Sequence, residues 1–117
     1  MDCKTAEELF DDLYQKYVDE FDWCFVPFTN QTFVSELKKE LGTKHKLYHQ
    51  QIYAVYRCES NDDVLFVIDS DKNGNDIYCI YHLTWSGKEE SGSFPLCKER
   101  FVGIDEVKKY FEKELSD

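Results

Sequence analysis

Three apolar runs separated by short turn signals constrain the fold of this chain more than any other feature. The runs cover residues 52–57, 64–68 and 77–85, and they are rich in β-branched and aromatic side chains. Polar residues 60–63 separate the first two runs, and residues 69–76, which contain Asn73-Gly74, separate the last two. Because strands joined by hairpin-length connections pair antiparallel, the pattern predicts an antiparallel meander.

Three other segments carry apolar residues at helical spacing and predict helices at residues 5–20, 31–41 and 105–115. Thr5 and Glu8 form a capping-box pattern at the start of the first helix, and Asn30 or Thr32 caps the second. Aromatic-rich residues 23–28 are expected to be a short strand or a packed connector, and the apolar patch at residues 101–102 is expected to be a short strand.

These elements predict one α+β domain over residues 1–117, in the order α-(β)-α-β-β-β-(β)-α. The expected architecture is an antiparallel sheet of about four strands with the helices packed mainly on one face. The 42% hydrophobic content and the nine Phe, eight Tyr and two Trp residues provide for a single folded core.

The formal net charge of −10 limits the classes of partner. Nucleic acids and anionic membranes require a positive face, so neither is expected to bind, and a basic protein partner is favoured. The charge is uneven, with −6 over residues 1–22, +3 over residues 23–58 and −5 over residues 59–76. A surface that is acidic only for solubility is the alternative interpretation.

The five cysteines form no CxxC pair and no disulfide-rich spacing, which is typical of a reducing compartment. The N-terminal residues show no basic region followed by an apolar one, and no apolar run approaches the ~20 residues that cross a bilayer. We therefore expect a cytoplasmic protein.

Residues 69–74 match the first half of a calcium-binding loop, with oxygen-bearing side chains at alternate positions and a glycine at the sharp turn. The second half does not match, since Ile80 stands where a bidentate Glu is required. The preferred interpretation is an acidic hairpin turn in which Asp and Asn side chains bond their own backbone, with weak calcium binding left open.

Histidines and cysteines offer little catalytic chemistry. His45 and His49 have zinc-ligand spacing, but no third ligand and no general base accompany them. His82 with Cys79 or Cys58 is the one conceivable base and nucleophile combination, and alternation along a strand places His82 and Cys79 on opposite faces. The sequence therefore predicts no catalytic residue, no metal site and no cofactor, and we expect a protein that is not an enzyme.

Trp85 lies at the end of a predicted strand and is followed by Ser86-Gly87. One interpretation is a point where the chain leaves the sheet, with Phe94-Pro95 folding back over the core. The functional interpretation is a binding edge, in which four side chains meet a partner: Trp85, Lys88, Glu89 and Glu90.

Residues 82–90, which read His-Leu-Thr-Trp-Ser-Gly-Lys-Glu-Glu, precede Phe94-Pro95 and then Phe101 ahead of the closing helix. This block resembles small bacterial immunity proteins found beside polymorphic or contact-dependent toxins. The resemblance implies a protein that neutralises a cognate toxin, and such toxins include nucleases with a basic substrate groove.

On that hypothesis, carboxylates at the hairpin tips attract the toxin electrostatically, while Trp85 or a neighbouring Tyr is the buried anchor. The acids are Asp62, Asp63, Asp69, Asp71 and Asp76. The alternative function is a small regulatory or adaptor module that binds a protein through an exposed sheet edge. The oligomeric state is left open by the sequence.

Overall fold

A computed structural model describes residues 3–17, 21–27, 29–44, 46–85 and 97–116. It contains helices α1 (Cys3–Lys16), α2 (Thr32–Leu41) and α3 (Ile104–Ser116), with a short 3₁₀ helix at Lys46–His49. The strands are β1 (Trp23–Phe25), β2 (Tyr53–Cys58), β3 (Asp63–Ser70), β4 (Asp76–His82) and β5 (Cys97–Val102). The α+β class and the order of elements are confirmed.

The sheet is an antiparallel meander of five strands in the order β1-β2-β3-β4-β5. Each of the short strands expected at the two edges forms, with β1 paired to β2 and β5 paired to β4. In the central pair, Leu65 lies opposite Ile80 and Asp63 lies opposite His82. This register buries the long apolar runs of β3 and β4 in the middle of the sheet.

Two of the three helices, α1 and α3, cover one face of the sheet, as expected, and α2 covers the other face. Helices α1 and α3 share a core cluster with one face; its members include Leu9, Leu13, Tyr56, Leu65, Ile80, Val107 and Phe111. Helix α2 and the 3₁₀ helix share a second cluster with the other face; its members include Val34, Leu37, Leu47, Ala54, Phe66 and Cys79. Because helices cover both faces of the sheet, side chains on both faces of β3 are buried. The sequence of β3 is therefore a continuous apolar run rather than an alternating one.

Local sequence signals predict the start of α2 more accurately than the start of α1. Helix α2 agrees with the prediction to within one residue, and Asn30 Oδ1 accepts the backbone N–H of Thr32 at 3.0 Å. Helix α1 begins at Cys3, so Thr5 lies inside the helix rather than at its cap. Within the described ranges, no helix has the length and apolar character needed to cross a membrane.

The two polar hairpin tips lie at opposite ends of the sheet. One tip precedes β3 and the other follows it, and β3 is 8 residues long. At about 3.3 Å per residue, the tips are separated by roughly 25 Å. Acidic residues that are close in sequence therefore belong to two separate surfaces.

Candidate protein-binding surface at Trp85

Trp85 is an exposed aromatic residue in an unusual backbone conformation. Its relative exposure is 43%, and only one other large hydrophobic residue of the described chain, Tyr14, is comparably exposed. Its φ is 60°, and no other non-glycine residue in the described ranges has a positive φ. A bulky residue in this region is strained, and such strain concentrates at functional sites.

The buried carboxylate of Glu40 holds this conformation in place. Glu40, from the last turn of α2, accepts the backbone N–H of Trp85 at 2.9 Å and that of Thr84 at 3.0 Å. The side chain is fully buried, although it carries an ionisable group. Hydrogen bonds from backbone amides to a carboxylate are among the stronger ones in proteins, so the exit from β4 is firmly fixed to α2.

A second acid, Glu36, lies one helical turn before Glu40 and is also buried. Burial raises the pKa of Glu40, and its hydrogen bond with Glu36 raises it further, while the amides of Thr84 and Trp85 oppose the shift. Glu40 therefore keeps its proton to a higher pH than an exposed glutamate does.

The Trp85 ring packs edge-to-face on Phe33, with 5.8 Å between ring centroids and an interplanar angle of 68°. A cavity of about 100 Å³ lies beside the two rings and is also lined by Arg57 and Asp62. One side of the indole is thus supported by the protein, while the rest remains available to a partner.

Acidic side chains of the 59–62 turn stand on the same end of the sheet. Asp62 is exposed, and its carbonyl accepts the N–H of Leu83 at 3.0 Å, which ties this turn to the chain leading to Trp85. Glu59 is exposed as well, and its N–H donates to the carbonyl of Asp22 at 2.7 Å. Asp22, Glu59 and Asp62 therefore all lie at this end of the sheet.

Asp63 was predicted to face a partner, but the structure places its carboxylate between strands. Its side chain is only 9% exposed; Oδ1 lies 2.9 Å from His82 Nδ1, and Oδ2 accepts from Lys98 Nζ at 2.6 Å. Asp63 thus links β3 to β4 and β5. His82 is held by this contact with Asp63, whereas Cys79 packs in the core beneath α2. The two side chains therefore lie on opposite faces of β4, as the sequence predicts.

The acids of the other tip serve mainly the hairpin turn. Asp71 Oδ1 accepts the N–H groups of Asn73 and Asn75, each at 2.9 Å, and the bond from Asn75, followed by that from Asn73, lowers the pKa of Asp71. Asp69 Oδ1 accepts the N–H of Ser70 at 2.8 Å. Asp76 is half-buried at the start of β4. The described part of the chain brings together no group of three or more potential metal-ligating His, Cys, Asp or Glu residues.

Several residues named from the sequence lie outside the described ranges: His45, Lys88, Glu89, Glu90, Phe94 and Pro95. His49 is described, and its Nε2 lies 2.9 Å from the carbonyl of Thr43. Of the predicted contact residues, the structure therefore brings Trp85 and Asp62 together. Asp69, Asp71 and Asp76 lie at the far end of the sheet.

Glu40 and Phe33 are the functional residues that sequence reasoning missed. The sequence does hold a signal for Glu40, since it lies three residues after Leu37 and seven after Phe33, on the apolar stripe of the second helix. An acid on such a stripe is either paired or hydrogen-bonded when the helix packs.

The surface around Trp85 combines a strained and supported aromatic residue with the acidic side chain of Asp62. Tryptophan is among the residues enriched at the centres of protein interfaces. No family model, no curated protein and no solved structure matches this chain.

Proposed function

We propose that this protein is an acidic, non-enzymatic binding protein, and that it is an immunity protein which neutralises a basic toxin by covering its active surface. The observation that carries the proposal is the exposed indole of Trp85, which Glu40 holds at φ 60° against Phe33. The resemblance of residues 82–90 to immunity proteins supports the choice of a toxin as the partner.

A preformed aromatic anchor suits tight binding. Interfaces derive most of their binding free energy from a few residues, among which Trp is enriched, and truncating one costs about 2 kcal/mol or more. Ordering a flexible side chain on binding costs roughly 0.5–1.5 kcal/mol. The contacts of Trp85 with Phe33 and Glu40 remove part of that cost before the partner arrives.

The charge distribution supports a basic partner. Asp22, Glu59 and Asp62 lie at the Trp85 end, within a chain whose net charge is −10. Such a field raises the association rate with a positively charged protein, and it occupies a nuclease groove with carboxylates where phosphates would lie. The acids of the far hairpin tip add to the long-range field without direct contact.

The adaptor alternative, in which a partner strand adds to a sheet edge, has less support. Strand β1 is only three residues long, and the exposed part of β5 carries the charged residues Lys98, Glu99 and Arg100. Short edges and charged edges both oppose strand addition. Docking on the Trp85 surface is therefore the favoured mode.

The test is rescue from toxicity. The toxic domain encoded next to this chain in its own genome is expressed in a bacterial host, and growth is measured with wild-type protein, Trp85→Ala or Tyr14→Ala. Tyr14 is the matched control because it is exposed to 50% and lies on α1. We expect rescue by wild type and Tyr14→Ala and loss of rescue by Trp85→Ala.

Two outcomes would contradict the proposal. If the wild-type chain does not restore growth, or if no toxic domain is encoded beside it, the immunity function is wrong. If Trp85→Ala rescues as well as Tyr14→Ala does, the immunity function stands but the assigned surface is wrong.

A further inference from the structure

A second cavity, of about 250 Å³, opens between strands β4 and β5 and the 3₁₀ helix. It shares no lining residue with the cavity beside Trp85. Two cysteines, Cys79 and Cys97, line it together with Arg100 and Gln50. Cys79 is buried in β4 whereas Cys97 is exposed at the first position of β5, and both carry free thiols.

The strand register places the two thiols on one face of the sheet. Tyr81 lies opposite Cys97 and Cys79 lies opposite Arg100, so the cysteines are diagonal neighbours. A register shift between Ile80 and Tyr81 interrupts the ladder between them, and Cys97 Sγ donates to the backbone carbonyl of Glu99 at 3.2 Å. Diagonal side chains on one face are within mutual reach, particularly beside a bulge.

We propose that Cys97 and Cys79 form a reactive thiol pair, in which Cys97 attacks a small hydroperoxide in this cavity and Cys79 then resolves the product as a disulfide between β5 and β4. The proposal does not depend on the function proposed above, because it concerns a different cavity. It assigns a redox modification site to the chain.

The surroundings of Cys97 favour the thiolate, which is the reactive form. The hydrogen bond from Cys79 lowers the pKa of Cys97, and Arg100 and the backbone amides of Ile80 and Glu99 act in the same direction, while burial opposes them. The pKa of Cys79 is raised, first by the same hydrogen bond and then by burial. The pair therefore has one nucleophilic member and one that remains protonated.

Gln50 is a polar group of the cavity that suits a hydroperoxide, and Asp69 and Tyr81 also line the cavity. Gln50 Oε1 is a buried acceptor with no hydrogen-bond partner in the described part of the chain. A hydroperoxide supplies one O–H donor, and the alcohol formed from it supplies another. The positive charge of Arg100 stabilises the negative charge that develops on the leaving oxygen.

The chemistry balances in two steps. The Cys97 thiolate attacks the terminal oxygen of ROOH, the O–O bond breaks, and RO⁻ takes a proton to leave as ROH, which gives Cys97 sulfenic acid. The Cys79 sulfur then loses its proton and attacks Cys97 sulfur, and the S–O bond breaks to release hydroxide, which combines with that proton as water. The two thiols supply the two electrons that reduce the hydroperoxide.

The first test compares two cysteines in one molecule. The protein is alkylated with iodoacetamide near neutral pH, and the rate at each cysteine is measured by peptide mass spectrometry. Cys24 is the internal control because it is partly exposed and its hydrogen bond with Glu59 raises its pKa. We expect Cys97 to react at least about tenfold faster than Cys24, since one pKa unit changes the thiolate fraction about tenfold.

The second test treats the protein with one equivalent of hydrogen peroxide. We expect wild type to form an intramolecular Cys79–Cys97 disulfide, and Cys79→Ala to accumulate a Cys97 sulfenic acid that dimedone traps. Arg100→Gln should slow alkylation of Cys97 severalfold, whereas Lys98→Gln should not, because Lys98 bonds Asp63 instead. Circular dichroism checks that each variant is folded.

Equal alkylation rates at Cys97 and Cys24 in the folded wild type would overturn the proposal without any variant. A fast Cys97 that forms no bond with Cys79 after peroxide treatment would overturn the resolving role. Rates that stay unequal in guanidinium chloride would contradict the assignment to the folded cavity.

Discussion

Glu40 accepts the backbone N–H of Trp85 at 2.9 Å across 45 positions of sequence. This single contact joins the last turn of α2 to the exit of β4, and it fixes both the position and the strained backbone of the exposed indole. The candidate surface therefore depends on an acid that is itself fully buried.

Replacing Glu40 with Ala is expected to lower the free energy of unfolding by about 2–4 kcal/mol, because the amides of Thr84 and Trp85 lose their acceptor. Glu40→Gln keeps an acceptor oxygen and is expected to cost less. Urea denaturation measures both, with Lys39→Ala as an exposed control on the same helix. Equal losses for Ala and Gln would show that the hydrogen bonds are not the source of stability.

The raised pKa of Glu40 predicts how stability changes with pH. Between the ordinary value of 4.5 and the raised folded value, the folded state binds more protons than the unfolded state. Stability from this group is fully present below the ordinary value and is lost as pH rises through the folded pKa. Glu40→Gln does not titrate, so its stability relative to wild type should improve as pH rises from about 4 to about 8.

Denaturation of both proteins across this pH range measures the difference directly. All other titrating groups are present in both proteins, so their contributions to the difference in unfolding free energy cancel. Glu36 is the exception, because it hydrogen-bonds Glu40. A difference in unfolding free energy that stays constant with pH would contradict the assigned shift.

The positive φ of Trp85 predicts that two substitutions at this position differ in stability but not in their loss of binding. Trp85→Gly is expected to be more stable than Trp85→Ala by about 1 kcal/mol, because glycine adopts φ 60° without the steric penalty of a Cβ. Both variants remove the indole and should lose binding alike. Chemical denaturation compares the two, and an Ala variant at least as stable as the Gly variant would mean that the backbone at this position is not strained.

The adjacent acids Asp62 and Asp63 should respond differently to the same substitution. Asp63→Asn weakens the contacts with His82 and Lys98 and is expected to cost about 1–3 kcal/mol of stability. Asp62→Asn should change stability by less than about 0.5 kcal/mol, because its side chain is exposed.

On the proposed function, binding to a basic toxin should separate the two acids further. The association rate, measured at low and at moderate salt, should fall for Asp62→Asn, with a weaker dependence on salt than wild type shows. If Asp63→Asn leaves the unfolding free energy unchanged, then the contacts of Asp63 do not stabilise the sheet.

The local sequence determined the elements of this fold. The apolar runs and the Asn73-Gly74 turn predict β3 and β4 because strand pairing across a tight turn is a local matter, and Gly74 has the positive φ of 82° that the turn requires. Strand β1 lies in an aromatic-rich segment for which the sequence predicts a short strand or a packed connector, and β5 begins four residues before the apolar patch at residues 101–102. The contact role of Trp85 stays a prediction, based on its place at the end of a strand.

Tertiary structure decided what surrounds those elements. The path of the chain between α2 and β2 places α2 on the face opposite α1 and α3, and no local pattern specifies that choice. The same packing places Glu40 beneath Trp85 and pairs the Asp63 carboxylate with Lys98 inside the structure. Asp71 lies in the hairpin turn at the other end of the sheet. Periodicity shows which side of a helix is buried, but the partner of a buried carboxylate depends on contacts between residues far apart in sequence.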